Sequence, residues 1–170
     1  MTEREEHATD PANALVKEIS DRMRRLLRGA ERCLGQLDDE QVWYRAHPRD
    51  NAIGNLILHI VGSLRRWVLG GIDGQSDTSD RSAEFSSSQG KSCDELAKIL
   101  RETVERCCRV IESLPIERIT EAKRIQDTDT TIASALVGAA SHLAVHVGQI
   151  QFIAKSLLQD AYMESWTPPK

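Results

Sequence analysis

Two histidines stand four residues apart in the segment 141–155, Ser-His-Leu-Ala-Val-His-Val-Gly-Gln-Ile-Gln-Phe-Ile-Ala-Lys. On a helix that spacing puts His142 and His146 on one face with β-carbons roughly 6 Å apart, so both imidazoles can reach a single ion. The same pair can equally be two partly buried, hydrogen-bonded histidines, and a metal site needs a third ligand from elsewhere in the chain. His59 is the candidate. At about 100° per residue, Asn55, Ser63 and Arg66 fall within about 40° of it, a polar seam along an otherwise oily helix. Alone, His59 reads as a satisfied core histidine; beside a histidine pair it reads as a ligand. Three neutral imidazoles leave a divalent ion its full charge and at least one open position, the composition of a catalytic rather than a closed structural site. Hydrolysis by a bound water and transfer of a bound thiol are then both available. Leu143 stands where the His-Glu-x-x-His protease motif needs its glutamate, which excludes that chemistry. No carboxylate triad for redox iron is evident, although Glu84 could enter from a loop.

Four helices would have to position these residues. Apolar residues at Leu15, Ile19, Met23, Leu26, Ala30 and Leu37 recur at helical spacing and predict a first helix over 13–37. Its arginines at 22, 24, 25, 28 and 32 lie among Glu18, Asp21 and Glu31, which reads as a solvated face with helical ion pairs. The connection 38–51 carries Trp43, an anchor against the bundle, and His47-Pro48, where His47 is either a structural or exposed loop histidine, the commoner case beside proline, or a reserve ligand. Asn51 can cap a second helix that runs to Leu69, ended by Gly70-Gly71. Segment 71–91 is rich in Gly and Ser and reads as a long loop, either a lid or plain flexible chain, with Asp80, Arg81, Glu84 and Phe85 as its candidate functional residues. Ser92 and Glu95 form a capping box for a third helix closed by Pro115. Residues 116–129 are a mixed connection with a short extended piece at Arg124-Ile125-Gln126. Asp129 or Thr130 can cap the fourth helix, from Thr131 or Ile132 to Leu158. On its histidine side Ala135, Gly138 and Ala139 are small enough either to leave a cavity or to allow close helix packing, and Gln149 is a candidate partner for a ligand histidine.

Composition narrows the class. At 170 residues the chain suits one domain, laid out as a disordered lead over 1–12, a bundle over 13–158 and a tail over 159–170. Aromatics are only 4% of residues, so the core is aliphatic, which favours helix packing. A net charge of -4 and a pI near 5.8 argue against a nucleic-acid partner. No stretch reads as the ~20 apolar residues of a membrane span, so a cytoplasmic location is expected. The cysteines at 33, 93, 107 and 108 lack zinc-ribbon spacing and read as core residues in a reducing compartment, with no disulfide.

Asn55-Leu-Ile-Leu-His59-Ile60, together with His142-Leu-Ala-Val-His146-Val-Gly148-Gln149-Ile150, resembles the DinB/YfiT-like metal-binding superfamily, and the resemblance runs from the first helix to about residue 158. The segment from Asp80-Arg81 to Glu84-Phe85 looks like a branch of it whose function is unassigned. What the resemblance implies is an all-α, up-down-down-up four-helix bundle, often a homodimer. The implied ligands are His59, His142 and His146, holding a divalent ion such as nickel or zinc. Members include enzymes that attach low-molecular-weight thiols to electrophiles, thiol-dependent isomerases, hydrolase-like proteins and proteins of no known activity. The leading expectation is therefore a metal-dependent, thiol-dependent transferase acting on a small-molecule substrate, with the thiol as co-substrate. Arg66 would orient an anionic substrate, and Glu84 would act as base or extra ligand. A metal-dependent hydrolase is the near alternative, and a non-catalytic metal-binding stress-response module the more distant one. A pocket of roughly 300 Å³ or more facing the ion would favour an enzyme.

Overall fold

The computed structural model describes residues 11–76 and 90–164. Four helices carry the fold: α1 (Pro11–Leu34), α2 (Ile53–Leu64), α3 (Cys93–Glu112) and α4 (Ile132–Leu158). A two-stranded antiparallel hairpin, β1 (Ala122–Ile125) and β2 (Thr128–Thr131), precedes α4, with Ala122 opposite Thr131 and Ile125 opposite Thr128.

Each of α1 and α2 packs on both α3 and α4, so α1 and α2 lie on one diagonal of the bundle and α3 and α4 on the other. Side-chain pairs fix the directions. Arg24 reaches Glu112 and Glu105 while Glu31 reaches Arg101, so α1 and α3 run antiparallel. Gly29 faces Val147 and Gln151, and Cys33 meets Tyr162 just past the end of α4, so α1 and α4 run parallel. His59 meets His142, and Arg66 shares a cavity wall with Ala135, so α2 opposes α4. The result is the up-down-down-up bundle. Its core is almost wholly aliphatic, from Met23, Leu27 and Leu34 through Ile53, Ile57 and Ile60 to Leu96, Leu100, Leu136 and Leu143.

Several boundaries differ from the sequence reading, each for a local reason. The first helix is described from Pro11 and stops at Leu34, before Gly35. Asn51 does not cap α2. Ala52 holds the cap position, and the Asn55 side chain reaches back to accept from the Ala52 N–H at 3.2 Å. The second helical run extends to Gly70, but over Arg65–Gly70 it widens to a π-helix, with the Gly71 N–H donating to the Arg66 carbonyl at 2.9 Å. Ser92 and Glu95 form the expected capping box, and Thr131 caps α4 by accepting from the Ser134 N–H at 3.2 Å. The extended piece is a full hairpin. Cys107 and Cys108 are both buried on opposite flanks of α3, one near the Leu64 carbonyl and the other near the Ser20 carbonyl. All four cysteines are free thiols.

The membrane expectation needs a correction at one place. By length and composition Ile132–Ala161 is apolar enough to cross a bilayer. In the bundle it is a wall helix that packs on α1 and α2 and places His142 and His146 in its middle.

Trp43 anchors the 38–51 connection, as expected. Its indole N–H donates to the Lys91 carbonyl at 2.8 Å, and its ring lies against Gly54, where an added Cβ would sit 2.7 Å from ring carbons. Gly54→Ala should therefore destabilise the fold by about 1–3 kcal/mol in urea unfolding. Gly148→Ala, with open space around the new methyl, should gain up to about 1 kcal/mol from helix propensity.

Candidate metal centre

Antiparallel packing of α2 on α4 puts His59 opposite the pair from α4. The three imidazoles meet through their Nε2 atoms, 3.1 Å between His59 and His142 and 3.0 Å between His142 and His146. One ligand nitrogen from each residue lies within 4.8 Å of the others, and the rings meet edge to face with centroids 4.4 to 5.0 Å apart. His59 is buried and the other two are half-buried.

The donor set suits a cation. His146 Nδ1 lies 2.7 Å from the Gln149 side-chain oxygen, which can only accept. That contact puts the proton on Nδ1 and leaves an inward lone pair on Nε2. Two nitrogens converge on His142 Nε2, which carries either one proton or one lone pair, so imidazoles alone do not satisfy the cluster symmetrically. Ligands held ~2.0–2.1 Å from one ion at angles between octahedral and tetrahedral lie ~2.9–3.4 Å apart. The two Nε2–Nε2 separations at His142 fall in that interval.

A cavity of about 490 Å³ opens over His59 and His142. Ser63, Arg66 and Trp67 form its α2 side, and the small residues Ala135, Gly138 and Ala139 form its α4 side. A Cβ added to Gly138 would meet nothing within 4 Å. Here the small residues make room rather than bring helices together. The hairpin contributes Gln126, Thr128 and Thr130 to its lining. It is seated by Ile125, which lies so close to Gly71 that a Cβ there would come within 2.6 Å of it.

The polar seam expected on α2 divides in two. Ser63 and Arg66 line the cavity with His59, whereas Asn55 is committed to structure, capping α2 and accepting from Arg45 at 2.8 Å. His47 is not in the cluster; it is exposed, and its Nδ1 accepts from the Arg49 N–H at 3.2 Å. Asp80, Arg81, Glu84 and Phe85 lie outside the described residues. The hairpin's share of the cavity was not foreseen, and neither was that of Trp67. Thr128, Thr130 and Thr131 are β-favouring residues that could have indicated a strand, but Gln126-Asp127 is not an Asn-Gly type of turn signal.

A second and larger cavity, about 1030 Å³, runs along the far side of α4 past Tyr44, Val145 and Phe152. It touches the centre only through Gln149 and has no histidine ligand among its described lining residues, so the smaller cavity is the one that opens on the histidines. The chain's own thiols are poor nucleophiles. Burial pushes Cys107 up to about 12 and Cys108 up to about 11, and burial with the nearby Asp39 carboxylate pushes Cys93 up to about 11. A thiol with a pKa of about 11 is about one part in ten thousand thiolate at pH 7. Alkylation of the folded protein by iodoacetamide should be slow at pH 7 and rise as pH approaches 11. Gln149→Leu, which frees the His146 Nδ1, should weaken metal binding by about 10- to 100-fold in chelator competition.

The chain matches the family described as "Protein of unknown function (DUF1572)" over residues 10–169. No curated protein matches it. Among solved structures it is similar to the crystal structure of a DinB-like protein from Bacillus cereus ATCC 10987, at 15% identity and a TM-score of 0.63 over 78% of this chain and 85% of that one. At that identity the likeness establishes the fold and leaves activity open. With an all-α bundle, a three-histidine cluster suited to a divalent ion and a match over nearly its whole length, the chain belongs to the DUF1572 family and has the DinB-like fold.

Proposed function

We propose that this protein is a cytoplasmic metal-dependent enzyme in which His59, His142 and His146 hold one divalent ion, nickel or zinc, and that it transfers a low-molecular-weight thiol to a small electrophile. The observation that carries this reading is the cavity over the ligand nitrogens, large enough for a small molecule and walled by polar side chains. An ion bound there lowers the pKa of a thiol or water and polarises a carbonyl. The chain's own residues supply the rest. Gln149 orients His146, the Ala135–Ala139 side leaves space for substrate, and the hairpin limits access of water. The raised pKa values of Cys93, Cys107 and Cys108 favour a thiol that comes from solution as co-substrate. The free cysteines support a reducing compartment.

Elemental analysis of tag-free protein should find close to one divalent ion per chain, with loss in His59→Ala and in His142→Ala. Full metal content in the His59 variant would overturn the ligand set. Acid should release the ion, since imidazole ligands must be deprotonated to bind. A screen of low-molecular-weight thiols with electrophiles, run beside esters and amides, should give turnover only in the thiol arm; turnover confined to esters or amides would make the protein a hydrolase. Turnover in neither arm by the metal-loaded protein would favour a metal-binding module.

We also infer a homodimer formed across the outer face of α4, where Val145 and Phe152 are 59% and 72% exposed. Light scattering should give twice the chain mass, and Phe152→Glu should halve it; a monomeric wild type overturns the inference.

A further inference from the structure

The helix that carries two of the three histidines has no Asp, Glu, Lys or Arg from Ile132 to Ala154, although one of its faces is turned to solvent. A wall helix of a bundle normally carries charge on that face, as α1 does with Arg22, Arg25 and Arg28. On α4 it holds Ser134, Gly138, Ser141, Val145, Gly148 and Phe152, all of them exposed. Their spacing alternates steps of four and three residues, the pattern that keeps one seam turned toward a partner helix. Most of the large apolar side chains exposed among the described residues gather here, with Val137, Val145 and Phe152 on the helix and Tyr44 across the groove from them.

The seam is complementary to itself. Set antiparallel against a second copy, it can be registered so that Val145 lies on the partner's Ser141, Phe152 on the partner's Ser134 and Gly138 on the partner's Gly148. Every large side chain then meets a small one, and the axes can approach to the ~8 Å lower end of helix packing. A parallel register would stack Phe152 on Phe152 and Val145 on Val145 while glycine faced glycine, tight at two levels and empty at the others. Neither surface brings a charge that contact would bury, and a two-fold axis repeats every contact. Ser134 and Gly138 belong to the histidine cavity as well as to the seam, and a Cβ added to Gly138 would meet nothing within 4 Å. A two-fold axis perpendicular to both helices, in the plane between them, puts their histidine flanks on the same side of the seam. A ring laid on Ser134 therefore borders the cavity.

We infer that two copies of this chain pair through antiparallel α4 seams, and that Phe152 of the partner subunit forms the outer edge of each histidine cavity beside Ser134 and Gly138. The cavity is then complete only in the dimer. This rests on the homodimer inferred above, and its test separates the register from the dimer itself.

Ser134 and Phe152 lie about 27 Å apart along one helix, so a bond between them must join two chains. The chain carrying Ser134→Cys together with Phe152→Cys should run as a covalent dimer after mild oxidation with diamide, whereas the parent and either single variant should not. Ser141→Val, which fills the seat of the partner's Val145, should weaken the dimer at least roughly tenfold in sedimentation equilibrium, and adding Val145→Ser should restore most of that loss. Thermal melts at low concentration should show each variant as folded as the parent, because the seam lies outside the core. A monomeric parent overturns the dimer and this inference with it. A parent of twice the chain mass whose double-cysteine variant stays unlinked, or in which Phe152→Cys alone cross-links, overturns the antiparallel register and leaves the dimer standing. Neither measurement requires a bound ion.

Discussion

The register between α2 and α4 is the constraint on which the rest of the structure depends. A shift of one residue along either helix turns its side chains by about 100° and would carry His59, or the His142 and His146 pair, out of the common point. What holds the register is apolar. Ile53, Ile57, Ile60 and Leu64 on α2 and Leu136, Leu143, Val147 and Ile150 on α4 are all buried in one core, and close packing leaves such cores little tolerance for sliding. A polar cluster of three imidazoles is thus positioned by oily side chains that take no part in its chemistry. The Gln149 contact then orients one ring.

Outside that register, the two ends of α2 do different jobs. Its start is fastened by Asn55, which satisfies the first turn and holds Arg45, and by the Trp43 ring against Gly54. Its end departs from regular α geometry at the π-helical turn of Arg65–Gly70. A wider turn changes the angular step between successive residues, and here Arg66 and its neighbour Trp67 both reach the cavity. Such turns recur at functional sites because they let adjacent residues share a face that regular helix would separate.

Much of this was legible in the residues. The histidine spacing, the apolar periods of all four helices, the Ser92 and Glu95 capping box and the small residues beside His142 pointed to the bundle and to the cluster. What stayed hidden was non-local or degenerate. Asn55 reads as part of a polar seam because helical angle cannot tell a side chain that reaches along its own helix from one that faces a cavity. The hairpin was reduced to a short extended piece because its two strands are four residues each and its turn is built from Gln-Asp rather than a glycine pair. Its role over the centre depends on Ile125 meeting Gly71, a contact across more than fifty positions of chain that local pattern cannot report.

That hairpin has a bearing on how the protein could diversify. The histidines and their supporting core sit on long helices, whereas one wall of the cavity is lined from strands of four residues each, joined by a tight turn and packed through Ile125 beside Gly71. Changes of length or sequence at the turn would leave the ligand nitrogens in place. The architecture separates a histidine cluster held by the core from a rim that local changes can reach, so edits between Ile125 and Thr131 would reshape the cavity wall while the bundle and its three imidazoles stay in place.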